Sequence, residues 1–78
     1  MDTYDEINKE CKEIINELII KFAGNGDMVN VKRIINMIVM LERAERNRKV
    51  SSLDDTELLM LWGLQKIKER YIDDGEDE

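Results

Sequence analysis

The stretch Ile34-Ile35-Asn36-Met37-Ile38-Val39-Met40-Leu41 carries seven apolar residues in eight, inside a chain of only 78. At about 100° per residue these side chains spread well beyond the single stripe that a surface helix buries. A helix that is apolar over most of its circumference has to be enclosed. A chain this short, however, buries only about 60% of the surface its unfolded form exposes. The run therefore requires cover from neighbouring helices and, for what they leave bare, from a second copy or a partner.

The rest of the chain reads as helix on both sides of this run. Proline is absent, the four glycines are Gly24, Gly26, Gly63 and Gly75, and helix formers dominate. Thr3 and Glu6 have capping-box spacing, and Tyr4, Ile7, Cys11, Ile14, Ile15, Leu18, Ile19 and Phe22 then form one apolar arc. Gly24-Asn25-Gly26 ends that helix, and Asp27 is placed to cap the next. There Val31, Ile34, Ile35, Ile38 and Leu41 make the expected buried stripe, with Met37 and Ala44 on one side of it and Val39 on the other. Beyond Leu41 every residue to Lys49 except Ala44 is polar, so the last two turns read as a solvated, projecting end. Within them Glu42 with Arg46, and Glu45 with Lys49, have the spacing of favourable ion pairs. Asp54 as N-cap, Glu57 three residues on, and Leu53 with Leu58 as a staple start the third helix. Its core stripe is Met60, Leu61, Leu64, Ile67, Tyr71 and Ile72. The expected fold is all-α, a small three-helix antiparallel bundle with helices at about 4–23, 28–49 and 55–72. Residues 1–72 form the single domain and 73–78 an acidic, disordered tail.

Charge narrows the function. The formal net charge is −6, which disfavours direct nucleic-acid or anionic-membrane binding and favours a protein partner with a basic surface. The acids and bases are unevenly placed. Residues 24–52 carry six bases against three acids, and residues 53–78 carry nine acids against three bases. Arg43, Arg46, Arg48 and Lys49 cluster without aromatic neighbours in sequence, and Glu42 and Glu45 dilute them. They suit salt bridges to an acidic flank better than nucleic acid. No apolar stretch approaches the roughly 18 residues of a membrane span, and a lone cysteine without histidine suits a reducing interior. The expected location is the cytoplasm, or a host cytoplasm for a phage-encoded chain.

Two surfaces are candidate sites. Met37 and Met40, with Leu59 and Trp62, lie off the main stripes and form the expected partner or dimer interface, since methionine adapts and tryptophan anchors. Glu6, Glu10, Glu13 and Glu17 recur at spacings of 4, 3 and 4 along one edge of the first helix. With Asp73, Asp74, Glu76, Asp77 and Glu78 they make an acidic surface whose carboxylates recur roughly every 5–6 Å, sparser than the phosphates of a nucleic-acid strand but similar in kind.

Catalysis lacks its parts. Cys11 has no base, because the chain has no histidine, and its place on the apolar arc marks a core residue. Glu10-x-x-Glu13 and Glu42-x-x-Glu45 each put two carboxylates one turn apart, as a magnesium cluster needs. This spacing resembles the Glu-x-x-Glu…Glu-x-x-Asp pattern of the all-α nucleotide pyrophosphohydrolases, at these four positions alone, with Glu45 where that family has Asp. The resemblance implies a carboxylate–magnesium nucleotide hydrolase. The residues themselves favour no enzyme, no cofactor and no metal. They favour a small acidic interaction protein, dimeric and acting by stoichiometric binding, with the size and charge of a phage or mobile-element inhibitor or regulator of a nucleic-acid-handling protein. The alternative is a structural dimerisation module with no inhibitory role.

Overall fold

A computed structural model describes residues 3–50 and 55–73. Among them the chain forms three α-helices, α1 (Thr3–Gly24), α2 (Met28–Val50) and α3 (Thr56–Lys68). α3 runs on into a π-helical stretch, Glu69–Asp73. No strand occurs among the described residues, and the fold is an all-α helical bundle. No described helix is long and apolar enough to cross a membrane.

The turn between α1 and α2 follows from three residues. Gly26 takes a positive φ of 73°, which a residue without Cβ adopts at no steric cost. This lets the Asp27 amide donate to the Phe22 carbonyl at 2.8 Å and the Gly26 amide to the Ala23 carbonyl at 3.1 Å, closing α1 in a Schellman motif. Asp27 then caps α2: its Oδ1 accepts from the Asn30 amide at 3.2 Å, and its Oδ2 from the Asn30 side-chain amide at 2.7 Å. Gly24 stays inside α1, so the stop comes two residues later than the first glycine suggests.

The core draws on all three helices. α1 buries Cys11, Ile14, Ile15, Leu18 and Phe22, α2 buries Val31, Ile34, Leu41 and Ala44, and α3 buries Met60, Leu61 and Leu64. Two expectations for α2 need correction. Ile35, placed in the main stripe, is 46% exposed, whereas Met37 packs half-buried against the core. Ile34 and Ile35 point about 100° apart on the helix, and of the two only Ile34 faces inward. The helix turns so that Ile34 and Leu41 do, and Met37 and Ala44 follow on the same side. The charged end of α2 is also not a free projection, since Ala44 is buried and the Arg48 side chain is only 9% exposed.

Arg48 completes a polar cluster that joins the helices at one end. Glu57, in the first turn of α3, is fully buried and accepts from the Asn8 side-chain amide of α1 at 2.8 Å. Its other oxygen accepts from Arg48 Nε of α2. The Arg48 Nη2 reaches Asp5 at 3.0 Å, and the guanidinium lies 5.5 Å from the centre of the Tyr4 ring. Tyr4 in turn donates to Asp55 at 2.7 Å. Glu57 was expected to reach back to its own helix start. Its side chain turns inward instead, where Asn8 and Arg48 supply the donors that a carboxylate out of water needs. The expected cap Asp54 and staple residue Leu53 lie outside the described residues. Asp55, which directly precedes α3, makes no side-chain capping bond. At the opposite end Phe22 and Tyr71 meet edge to face, centroids 5.1 Å apart.

Two stability measurements test this packing. Leu41→Ala should lose about 3 kcal/mol in urea unfolding, because Leu41 is fully buried, whereas Ile35→Ala should lose under about 1 kcal/mol. Equal losses would contradict the rotation of α2. Arg48→Met, which leaves the buried Glu57 without its charged partner, should lower the melting temperature more than the double variant Arg48→Met/Glu57→Met does. The difference is read from the four corners of a double-mutant cycle.

Candidate functional site

The acidic edge of α1 forms one wall of a groove. Glu10, Glu13, Ile14, Asn16 and Glu17 face Gln65, Lys68, Glu69 and Asp73 across an open space of about 690 Å³. The helical repeat explains why these residues meet: Glu10, Glu13 and Glu17 share an edge of α1, and Gln65, Lys68 and Glu69 share an edge of α3 and its extension. Among the described residues, five carboxylates thus line the space with one ammonium. That ammonium, on Lys68, sits 3.6 Å from Glu17, and the Gln65 side-chain amide donates to Glu10 at 3.5 Å. Glu6 is exposed on the same edge of α1, beyond the groove.

Asp73, expected in a disordered tail, is the last residue of the π-helical stretch and belongs to the groove wall. Asp74, Glu76, Asp77 and Glu78 lie outside the described residues. The two halves of the Glu-x-x-Glu pattern do not converge, because Glu42 lines a different groove, between α1 and α2, with Lys12 and Ile38. Among the described residues no group of three or more His, Cys, Asp or Glu side chains is placed to hold a metal ion. Glu45 instead pairs with Lys49 at 3.6 Å, as its spacing predicts.

A second groove, of about 500 Å³, opens between α2 and α3. Phe22, Ile34, Met37, Ile67 and Tyr71 give it an apolar lining, and Arg33, Lys66, Arg70 and Asn30 its polar rim. The Arg70 guanidinium lies 5.7 Å from the centre of the Tyr71 ring. Among the described residues, no acidic one lines it. Of the expected apolar interface, Met37 contributes to this groove and is half-buried, so it is no free anchor. Met40, Leu59 and Trp62 are exposed and line neither groove, Trp62 being 65% exposed.

Cys11 is a core residue, with its Sγ 3.7 Å from the Glu57 carbonyl oxygen. Burial, and then the nearby Glu57 and Glu10 carboxylates, push its thiol up to about 11. The thiolate, which is the reactive form, is disfavoured at neutral pH. Arg48 moves further above its ordinary range, chiefly because Glu57 accepts its hydrogen bond, with Asp5 adding to this and burial opposing it.

Arg48 makes the salt bridge to an acidic flank that its cluster suggests, and its burial and that of Asn8, which sequence reasoning overlooked, had readable signals. Arg48 continues the seven-residue step Ile34–Leu41–Arg48, and Asn8 sits within the apolar arc at Tyr4–Asn8–Cys11 spacing. Both polar residues occupy core-facing positions, which implies partners. The basic rim of the second groove had no linear signal, because Arg33, Lys66 and Arg70 come from two helices.

No protein-family model, curated protein or solved structure matches the chain.

The Cys11 environment has a pH signature. A folded-state value above the unfolded one of about 9 means that the fold holds the proton more tightly. The stability advantage of the wild-type chain over Cys11→Ala should therefore be complete below pH 9 and shrink as pH rises towards 11. An advantage that grows over this range would contradict the buried, protonated thiol.

Proposed function

We propose that this chain is a small acidic helical interaction protein that acts by stoichiometric binding, with a protein of basic surface as its partner. The observation that carries this reading is the α1–α3 groove, where Glu10, Glu13, Glu17, Glu69 and Asp73 face one another with Lys68 as the one cation in the lining. Like charges held on a rigid wall repel, and a cationic partner relieves that repulsion as it binds. A row of carboxylates on helical spacing resembles, more sparsely, the backbone of a nucleic acid. Inhibition or regulation of a nucleic-acid-handling protein through its basic cleft is the form of binding that fits best. The buried, protonated Cys11 offers no nucleophile, so binding is favoured over catalysis.

The proposed scaffold is an antiparallel three-helix bundle. Contacts of Tyr4 and Asp5 with Asp55 and Arg48, and of Phe22 with Tyr71, support that arrangement. Self-association belongs to the same proposal and is supported by the exposure of Met40, Leu59 and Trp62.

The binding reading is tested with an Arg- and Lys-rich helical peptide as probe. The wild-type chain should bind it at least about tenfold more weakly when salt is raised from about 50 to 500 mM. Replacing Glu10, Glu13 and Glu17 together by Lys should abolish binding while helicity is retained. Unchanged capture by that variant would remove the acidic groove from the mechanism.

A further inference from the structure

The two long grooves have opposite chemistry, and they lie on opposite edges of α3. Gln65, Lys68, Glu69 and Asp73 face the acidic side, whereas Lys66, Ile67, Arg70 and Tyr71 face the cationic one. We propose that the apolar, cation-rimmed groove between α2 and α3 receives the acidic edge of α1 from a second copy of this chain. This rests on the self-association reading above but moves the contact from Met40, Leu59 and Trp62 to this groove, with head-to-tail geometry.

Three observations carry it. First, the groove presents Arg33, Lys66 and Arg70 with no acid among its described lining residues, so a two-fold contact centred on these cations would set like charges against each other. A symmetric dimer is therefore disfavoured on this face, and an anionic occupant is favoured. Second, the floor is apolar, so the occupant needs an apolar anchor beside its acids. Third, α1 carries that combination. Ile20 is 73% exposed and follows Glu13 by seven residues and Glu17 by three, which puts it on or beside the same helix edge. Seating the second copy's Ile20 over Ile67 and Met37 would bring its Glu13 and Glu17 to the cationic rim. Such a contact removes an exposed aliphatic side chain from water and pairs charges at the periphery, the usual division between anchor and rim. It also occupies the acidic groove edge, so self-association and capture of a basic partner compete.

The experiment uses two neutralised variants of the full chain, checked for native helicity. One carries Arg33→Gln, Lys66→Gln and Arg70→Gln. The other carries Glu10→Gln, Glu13→Gln and Glu17→Gln. In sedimentation at low salt and concentrations on the order of 100 µM, the wild type should associate reversibly, and each variant alone should associate at least about tenfold more weakly. Mixed together, they should form a one-to-one dimer that does not grow, because only one acidic edge and one cationic groove remain. Ile20→Ser should weaken wild-type association by about fivefold or more. A wild type that stays monomeric overturns the proposal, and so does a mixture that associates no better than its components. If the monomeric wild type binds a Glu-rich amphipathic peptide in the groove, the occupant is a foreign acidic protein instead. The two readings fail separately, since the Arg33, Lys66 and Arg70 variant keeps its acidic groove and should still bind the basic peptide.

Discussion

A fully buried carboxylate imposes stricter demands than any other group in this small core, and Glu57 is that group. Its donors come from elsewhere in the bundle, the amide of Asn8 from α1 and the guanidinium of Arg48 from α2. Aliphatic packing alone tolerates many arrangements of Ile, Leu and Val at similar energy. Sliding α1 or α2 by one turn would take away one of its two donors, and sliding α3 both, in a medium that cannot hydrate the carboxylate. The polar cluster therefore selects one register where the apolar contacts would accept several. Tyr4 and Asp5 extend it to the surface, and among the described residues no buried side-chain nitrogen or oxygen lacks a partner. The opposite end needs no such device, since the Gly26 turn and the Phe22–Tyr71 contact hold it.

This division explains which parts of the fold were legible in the sequence. The apolar arc on α1 was readable because its positions recur at 3–4 spacing and mostly polar residues fill the remainder, although the buried Asn8 within the arc was not. α2 was harder for the reason that made it conspicuous. With seven apolar residues in eight, periodicity cannot say whether Ile35 or Met37 completes the buried stripe. The deciding information sits further along, at Ala44 and Arg48, and Arg48 looks like a surface residue until Glu57 is known to be buried. Glu57 was misread for a related reason. Its distance from Asp54 satisfies a local capping rule, and only the meeting of three helices overrides it.

Tertiary placement also reshapes the electrostatics. A net charge of −6 suggests a uniformly acidic surface, yet the described residues separate into an acidic groove and a cation-rimmed one. The separation arises on α3, where charged residues alternate between two edges over a few positions: Lys66 and Arg70 on one, Lys68, Glu69 and Asp73 on the other. A linear count averages these edges to near neutrality. Because each groove is bounded by a second helix, the averaged charges become two local fields of opposite sign.

That arrangement constrains any assembly of the chain. A two-fold axis brings each surface against itself, which suits an apolar patch such as Met40, Leu59 or Trp62 but sets either charged groove against its own sign. A head-to-tail contact satisfies both grooves, and leaves one of each unsatisfied at the ends. Repetition without closure then produces growing chains, unless the rotation closes a ring or a foreign partner caps an end. A basic protein bound to the acidic groove is such a cap, because it removes the edge that the next copy would use. Partner capture and self-association would then be two states of one surface, with salt and concentration setting the balance between them.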